Sequence, residues 1–229
     1  MEFTHIVVTR VNIRMGGIKN YEWTTARVEL LNKCARPSLM QQTCNKFKFI
    51  TLWYEDIRGG DELANEIKLE IGNTGSKTRI VNLLKEISPT PAILWTRLDS
   101  DDCLDKEFIE KIQNRAKMVN TPYFFDVETL YMYDHRMRKT CVMDMSWYSK
   151  RGTAFISGLI NKDEKDKELF PYGFSHTNVP KKFVYGERIK ELKGLVTTHN
   201  YNSTTRFSRN RDIIIDLSRF SLFLNYGEE

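Results

Sequence analysis

The sequence lacks a long hydrophobic run, and this absence argues against a helix that crosses a membrane. Its most apolar late stretch, Ile213 to Leu224, is interrupted by Asp216 and Arg219. We expect that stretch to form an amphipathic helix that packs on the protein. The first apolar run, Ile6 to Val8, is too short for the core of a signal peptide. We therefore expect no export and no transmembrane segment.

The sequence is also poor in motifs built from cysteine or glycine. Its four cysteines are widely scattered and show no CxxC spacing, which excludes the usual zinc and dithiol motifs. Reduced thiols and a cytoplasmic location are expected. The chain has no glycine-rich phosphate loop, internal repeat or low-complexity linker. The missing phosphate loop counts against a magnesium phosphotransferase.

What remains is the composition of an ordinary globular protein. Hydrophobic residues make up 41% and charged residues 28% of the 229 positions, which is enough for one domain with a substantial core. The formal net charge of +5 favours a mild attraction to phosphates. It does not decide between nucleotides, nucleic acid and an anionic membrane.

The first 120 residues alternate between strand and helix patterns, which predicts an α/β sheet. Predicted strands cover Thr4–Thr9, Phe47–Tyr54 and the run that starts at Ala92, and predicted helices cover Tyr21–Cys34, Asp61–Ile71, Ser76–Ile87 and Lys106–Val119. From Pro122 the pattern changes to aromatic and β-favouring segments. These predict a hairpin of Tyr123–Tyr133 with Thr140–Ser149, a further strand within Gly152–Ile160 and a solvated loop over Asn161–Glu168.

The most informative segment is the apolar run from Ala92 to Leu98, which leads directly into Asp99-Ser100-Asp101-Asp102. Such a run suits a strand covered on both faces, and ligand sites collect at the carboxyl ends of such strands. Three neighbouring carboxylates repel one another unless solvent or a cation offsets their charge. A hard divalent cation is their natural partner. An acidic helix start without a metal is the alternative interpretation.

Three segments together resemble the rhamnosyltransferase family, whose members are similar to glycosyltransferases of the GT-A fold. They are His5 to Asn12, Leu98 to Asp102 and Val196 to Asn202. The resemblance implies an α/β fold of GT-A type, with a mixed, mainly parallel central sheet flanked by helices. It also implies a single domain over residues 1–229, in which residues 1–120 bind the nucleotide sugar. Residues 121–229 would then bind the acceptor and end in a helix.

The implied function is metal-dependent transfer of a sugar from a nucleotide-sugar donor to an acceptor hydroxyl. Under the resemblance, Asp101 would ligate Mn²⁺ or Mg²⁺, and Asp99 would bind the donor ribose or a water on the metal. His199 would be the third metal contact, although an isolated histidine is often structural. A cation there would stabilise the negative charge that builds on the departing diphosphate.

Donor contacts are expected at the ends of the predicted strands. The resemblance puts Thr9, Arg10 and Asn12 beside the donor nucleotide, where Arg10 would pair with a phosphate. Asp56, at the end of the second strand, is placed to accept hydrogen bonds from a base or ribose. Arg97 would reach the diphosphate or balance the carboxylates.

The acceptor side is less defined. An inverting enzyme needs a carboxylate base, and Asp144, Glu187 and Asp126 are the candidates, with Asp144 and Glu187 preferred. The acceptor is a saccharide or a hydroxylated base in DNA, as in viral genome modification. The second idea comes from basic clusters such as Arg136 to Lys139 and Lys150-Arg151. The alternative function is a non-catalytic, basic nucleic-acid-binding protein. The oligomeric state is not specified by the sequence.

Overall fold

The structure is a computed structural model. Its central sheet is built on four early strands that pair in parallel. Residues 1–11, 21–53, 66–71, 77–135, 138–143, 153–172, 186–198, 211–212 and 216–220 are described. The strands are β1 (Phe3–Arg10), β2 (Lys48–Trp53), β3 (Glu66–Glu70), β4 (Ala92–Asp99), β5 (Cys103–Leu104), β6 (Tyr123–Asp134), β7 (Lys139–Val142), β8 (Ser157–Asn161), β9 (Gly186–Thr198) and β10 (Arg211–Asp212).

The strand order is β3-β2-β1-β4-β8-β6-β9. The first four strands are parallel, β8 runs antiparallel to both of its neighbours, and β6 and β9 are parallel to each other. The short strands extend this sheet: β5 pairs with β9, β7 with β6, and β10 with β7. The predicted α/β fold with a mixed, mainly parallel sheet is confirmed.

Helices cover both faces of the sheet because residues along the central strands alternate between two cores. The helices are α1 (Tyr21–Leu30), α2 (Arg36–Met40), α3 (Lys77–Ile87) and α4 (Phe108–Ala116), and a π-helix over Leu31–Ala35 joins the first two. Ile6 and Val8 pack with Leu84 of α3, whereas Val7 packs with Ile112 of α4. This two-sided burial explains the nearly unbroken apolar character of β1 and β4. Within the described ranges, no helix is both long and apolar enough to span a bilayer.

The helix predicted over Asp61–Ile71 is wrong in its described part. Residues 66–70 form the edge strand β3, which pairs in parallel with β2. Glu66 accepts hydrogen bonds from Arg36 Nε at 2.9 Å and Nη2 at 2.8 Å, and from Thr51 Oγ1 at 2.8 Å. These contacts come from distant parts of the chain, so tertiary pairing overrides the local helical pattern.

The helix predicted over Ile213 to Leu224 is described only at residues 216–220. Leu217–Phe220 forms a 3₁₀-helix, and residues 213–215 and 221–224 lie outside the described residues. Arg219 binds Asp105 with its Nε at 2.8 Å and its Nη2 at 3.0 Å, while Phe220 is buried. Arg219 Nη2 also lies 3.2 Å from Glu107 Oε2, so this segment is fixed by the ion pairs of one arginine and by one aromatic side chain. All four cysteines are free thiols, as expected.

His5 is a buried polar residue at the centre of the sheet. Its Nε2 lies 2.9 Å from Thr96 Oγ1, and its Nδ1 accepts from Gln113 Nε2 at 3.2 Å. Thr96 Oγ1 in turn lies 2.7 Å from Ser157 Oγ. Burial lowers the pKa of His5 to about 3, so the folded protein keeps this ring neutral at ordinary pH.

We predict that His5 makes folding sensitive to mild acid. The unfolded chain binds a proton at His5 near pH 6.5, but the folded chain does not do so until pH falls to about 3. Stability is therefore full above about pH 6.5 and falls below it, by about 2 kcal/mol between about pH 7.5 and about pH 5. Urea unfolding of the parent and of His5→Gln at both pH values measures this. Equal pH dependence in the two proteins would contradict the prediction.

Candidate active site

The carboxyl ends of β1 and β4 bring two arginines to one aspartate. Arg10 stands opposite Asp99 in the parallel register, and its Nη2 lies 3.7 Å from Asp99 Oδ1. Arg97 Nη2 lies 3.4 Å and 3.3 Å from the two Asp99 oxygens. Burial alone would raise the pKa of Asp99, but Arg97 and then Arg10 outweigh it and hold that pKa below its usual value. Asp99 is therefore ionised, and its side chain is still 24% exposed.

Tyr172 packs against both of these arginines. Its ring centre lies 4.5 Å from the Arg10 guanidinium carbon and 4.7 Å from that of Arg97. Its hydroxyl donates to the Val8 carbonyl at 3.0 Å, and the Leu98 carbonyl lies 3.4 Å away. Burial, followed by the charge of Asp99, raises the pKa of Tyr172 to about 12, so the phenol remains a neutral donor.

Asp101 is bound by an arginine from a helix. Arg27, in the last turn of α1, donates from Nη1 to Asp101 Oδ2 at 2.8 Å and from Nη2 to Asp101 Oδ1 at 3.0 Å. The same Nη2 also donates to Ser100 Oγ. Burial opposes the charge of Arg27, but Asp101 outweighs it, so the pKa of Arg27 is raised. This two-pronged contact is the strongest geometry available to such a pair.

Asp102 is buried behind this pair and joins the turn to β9. Its Oδ1 accepts from the backbone N–H of Thr197 at 3.2 Å, and the Thr197 hydroxyl donates to the Asp101 carbonyl. Burial, with added repulsion from Asp101 and Asp99, raises the pKa of Asp102 well above its usual value. The surroundings of Asp102 therefore disfavour its charged form.

Several buried polar atoms at this edge have no hydrogen-bond partner among the described residues. They are Thr9 Oγ1, Arg27 Nε and Arg97 Nε. Leaving a buried donor unpaired costs about 1–3 kcal/mol, and such groups call for a specific explanation. Two of the three belong to arginines, so the site offers hydrogen-bond donors without acceptors. An anionic ligand is the group that would complete it.

The fit of the site to a divalent cation depends on Arg27. Asp99 and Asp101 supply the oxygen ligands that Mg²⁺ and Mn²⁺ prefer, but both Asp101 oxygens accept from Arg27. Within the described residues, no three histidine, cysteine or acidic side chains are grouped to hold a metal. A cation at Asp101 therefore has to take the place of the Arg27 guanidinium.

The structure brings together five of the residues singled out in the sequence. Thr9, Arg10, Arg97, Asp99 and Asp101 meet at the ends of β1 and β4. Asn12, Asp56, Asp144 and His199 lie outside the described residues.

The other two base candidates have structural partners. Glu187 accepts a hydrogen bond from Arg115, whose Nε lies 2.6 Å from Glu187 Oε1. Glu187 is also the last residue of a row that runs across the four neighbouring strands β4, β8, β6 and β9, and the row consists of Thr96, Ser157, Phe125 and Glu187. That row sets the backbone of Glu187 about 14 Å from β4, so it is not brought to Asp99. Asp126 is half-buried and accepts from the Thr153 N–H at 3.1 Å and from the Val127 N–H at 2.9 Å. These bonds give Asp126 a role in holding the segment at Thr153 against β6.

Two residues of the site, Arg27 and Tyr172, were missed by sequence reasoning. Arg27 looks like an ordinary basic residue in the last turn of a helix, where it suits the helix dipole. Tyr172 lies in a turn with a φ of 62°, a left-handed conformation that tyrosine rarely adopts. The one signal in the sequence was the Tyr172-Gly173 pair, which is typical of a tight turn.

The chain is similar to a known protein family and to solved structures. The family model described as "Putative rhamnosyl transferase" matches residues 14–211. No curated protein matches the sequence. Among the solved structures that match is "Crystal structure of S. aureus TarS", with a TM-score of 0.44 and 13% sequence identity over 86% of this chain. The match covers 37% of that neighbour, so this chain spans little more than a third of its length. Because the family model covers most of the sequence, the chain belongs to the rhamnosyl transferase family, a family of glycosyltransferases.

Proposed function

We propose that the chain moves a sugar from a nucleotide diphosphate donor to a saccharide hydroxyl at the ends of β1 and β4. The observation that carries this proposal is the convergence of Arg10, Arg27 and Arg97 on the Asp99 to Asp102 turn. Two of these arginines keep a buried N–H without an acceptor among the described residues. Phosphate oxygens are strong acceptors for such groups.

Charge at the site favours an anion. Three guanidinium groups converge on this turn, where burial and the neighbouring carboxylates raise the pKa of Asp102. Glycosyl transfer leaves negative charge on the departing diphosphate, and positive groups already in position stabilise that charge without reorganising. Arg97, which is nearly buried, would hold the diphosphate in place. Arg10, with 27% of its side chain exposed, stands where a ligand enters.

The proposal includes Mn²⁺ or Mg²⁺ at Asp99 and Asp101. A bound cation would supply further positive charge to the leaving diphosphate. Asp99 and Asp101 would hold the cation, and Arg27, which binds both Asp101 oxygens, would then be free to supply positive charge to the diphosphate. His199 is proposed as a third ligand. The support for it is that Thr197, two residues earlier, contacts both Asp101 and Asp102.

The remaining proposed roles concern contacts to the donor nucleotide and the catalytic base. Thr9, Arg10 and Asn12 are proposed to contact the donor nucleotide, and Asp56 its base or ribose. Asp144 is the proposed catalytic base, because Glu187 is bound to Arg115. A DNA acceptor stays the alternative substrate, although most of the basic clusters behind it lie outside the described residues.

We also propose one domain and a cytoplasmic location. Pairing of β4 with β8 and of β8 with β6 joins strands from residues 1–120 to strands from residues 121–229 in one sheet. This continuity supports a donor half and an acceptor half within a single folding unit. The four free thiols support a reducing compartment.

Donor binding is the first test. We expect nucleoside diphosphates and their sugars to raise the unfolding temperature, and Mn²⁺ to increase that shift. A ligand present at about a hundred times its Kd stabilises the folded state by about 2.7 kcal/mol. Arg97→Gln should lose most of the shift, and Asp101→Asn should lose the part that depends on Mn²⁺. Thermal unfolding with and without Mn²⁺ measures both effects.

Arg219→Gln is the matched control, because Arg219 binds Asp105 in the same two-pronged way away from the site. It should keep the full ligand shift. Donor turnover is then assayed with saccharides and with duplex DNA as acceptors. Tight DNA binding that ignores Mn²⁺, without any donor turnover, would overturn the proposal in favour of a nucleic-acid-binding protein.

Arg27 should compete with the cation for Asp101. We predict that Arg27→Gln binds Mn²⁺ about tenfold more tightly than the parent, because the carboxylate no longer has to give up a charge-assisted hydrogen bond. Titration followed by electron paramagnetic resonance measures the affinity. Arg219→Gln should bind Mn²⁺ as the parent does. Equal affinity in Arg27→Gln and the parent would mean that Asp101 is not a metal ligand.

A further inference from the structure

We propose that Tyr172 is a positioning residue for the donor diphosphate. Its ring would hold the guanidinium groups of Arg10 and Arg97 side by side at the ends of β1 and β4. This inference rests on the proposed function, because it gives those two arginines a diphosphate to bind. Tyr172 itself does not touch the reacting atoms.

Two guanidinium groups that approach the same carboxylate repel each other. Asp99 alone holds them loosely, with nitrogen–oxygen distances of 3.7 Å to Arg10 and of 3.3 Å and 3.4 Å to Arg97. Charge-assisted hydrogen bonds usually measure about 2.7–2.9 Å. The carboxylate therefore attracts both arginines but does not fix their planes.

The ring of Tyr172 provides the orientation that Asp99 does not. Both guanidinium carbons lie within 5 Å of its centre, at 4.5 Å and 4.7 Å, well inside the limit of about 6 Å for a cation–π contact. An aromatic face also suits the flat guanidinium group and takes none of its N–H donors. The ring therefore uses none of the N–H donors of the two arginines, and the Arg97 Nε has no acceptor among the described residues.

The ring is itself firmly anchored to the two strands that carry the arginines. Its hydroxyl donates to the Val8 carbonyl on β1 and lies 3.4 Å from the Leu98 carbonyl on β4. The backbone at Tyr172 has a φ of 62°. A bulky residue keeps such a conformation only where its surroundings demand it, and such positions collect at functional sites.

The test compares pyrophosphate binding by the full chain and three variants, measured by isothermal titration calorimetry. Tyr172→Leu should bind pyrophosphate at least about tenfold more weakly, because it loses two cation–π contacts. Tyr172→Phe keeps the ring and should bind within about threefold of the parent, although losing the hydroxyl lowers its unfolding temperature. Phe170→Leu is the matched control, since Phe170 is a buried aromatic residue of the same segment and contacts Lys85 instead of the two arginines.

A purely structural role for Tyr172 would give a different pattern. Tyr172→Leu and Phe170→Leu would then lose affinity together, in step with their unfolding temperatures, and this result would overturn the assignment. If Tyr172→Leu does not fold, Arg97→Lys replaces it, because lysine keeps the charge but loses the flat group that stacks on the ring. Arg97→Lys should also bind at least about tenfold more weakly, and unchanged affinity would overturn the assignment.

Failure of the proposed function gives a separate result. If the parent protein binds neither pyrophosphate nor any nucleoside diphosphate, the proposed function falls and this inference falls with it. If the parent binds pyrophosphate and Tyr172→Leu binds equally well, only the role of Tyr172 is overturned.

Discussion

The parallel register of β1 with β4 is the constraint on which the candidate site depends. It sets Arg10 opposite Asp99 and Val8 opposite Arg97. Because side chains alternate between the faces of a sheet, a shift of one residue would send Arg10 and Asp99 to opposite faces. Burial of both strands on two sides enforces the register, since the same shift would exchange the two cores that α3 and α4 cover. The apolar residues that stabilise the fold therefore also align the charged residues that follow them.

Arg27 and Arg97 differ in one respect from two other ion-paired arginines among the described residues. Arg36 has Glu66 and Asn32 as partners, and Arg219 has Asp105 and Glu107. Arg27 and Arg97, in contrast, each keep a buried Nε without an acceptor among the described residues. Taking charges out of water costs several kcal/mol for each ion, and stability alone seldom favours it. An incomplete set of partners at a strand end indicates that the site is organised for a ligand, whereas the complete sets elsewhere hold elements together.

The parts of the fold that the sequence predicted are those with strong local patterns. The predictions for β1, β2, β4, α3 and α4 are confirmed. Each of these elements is long, and its own hydrophobic pattern is enough to mark it as buried. β3 and β9 were missed because both are rich in charged residues, and each depends on a partner strand to exist. The same reason explains which residues of the site could be predicted from the sequence and which could not. Arg10, Arg97 and the aspartates follow apolar strands and were recognisable there. Arg27 and Tyr172 reach the site only through tertiary packing, which no local pattern records.

The arginines of the site also differ in how firmly they are held. Arg10 and Arg97 lie on paired central strands and pack against the anchored ring of Tyr172. Arg27 lies on α1, which precedes a π-helix, an irregular helical form that often marks functional sites. Movement of a helix end costs less than breaking the register of a buried sheet. In the proposed reaction, the strand arginines therefore form the fixed part of the diphosphate site. In the same proposal, Arg27 would be the cation that gives up Asp101 to a metal, and the sheet would stay undisturbed.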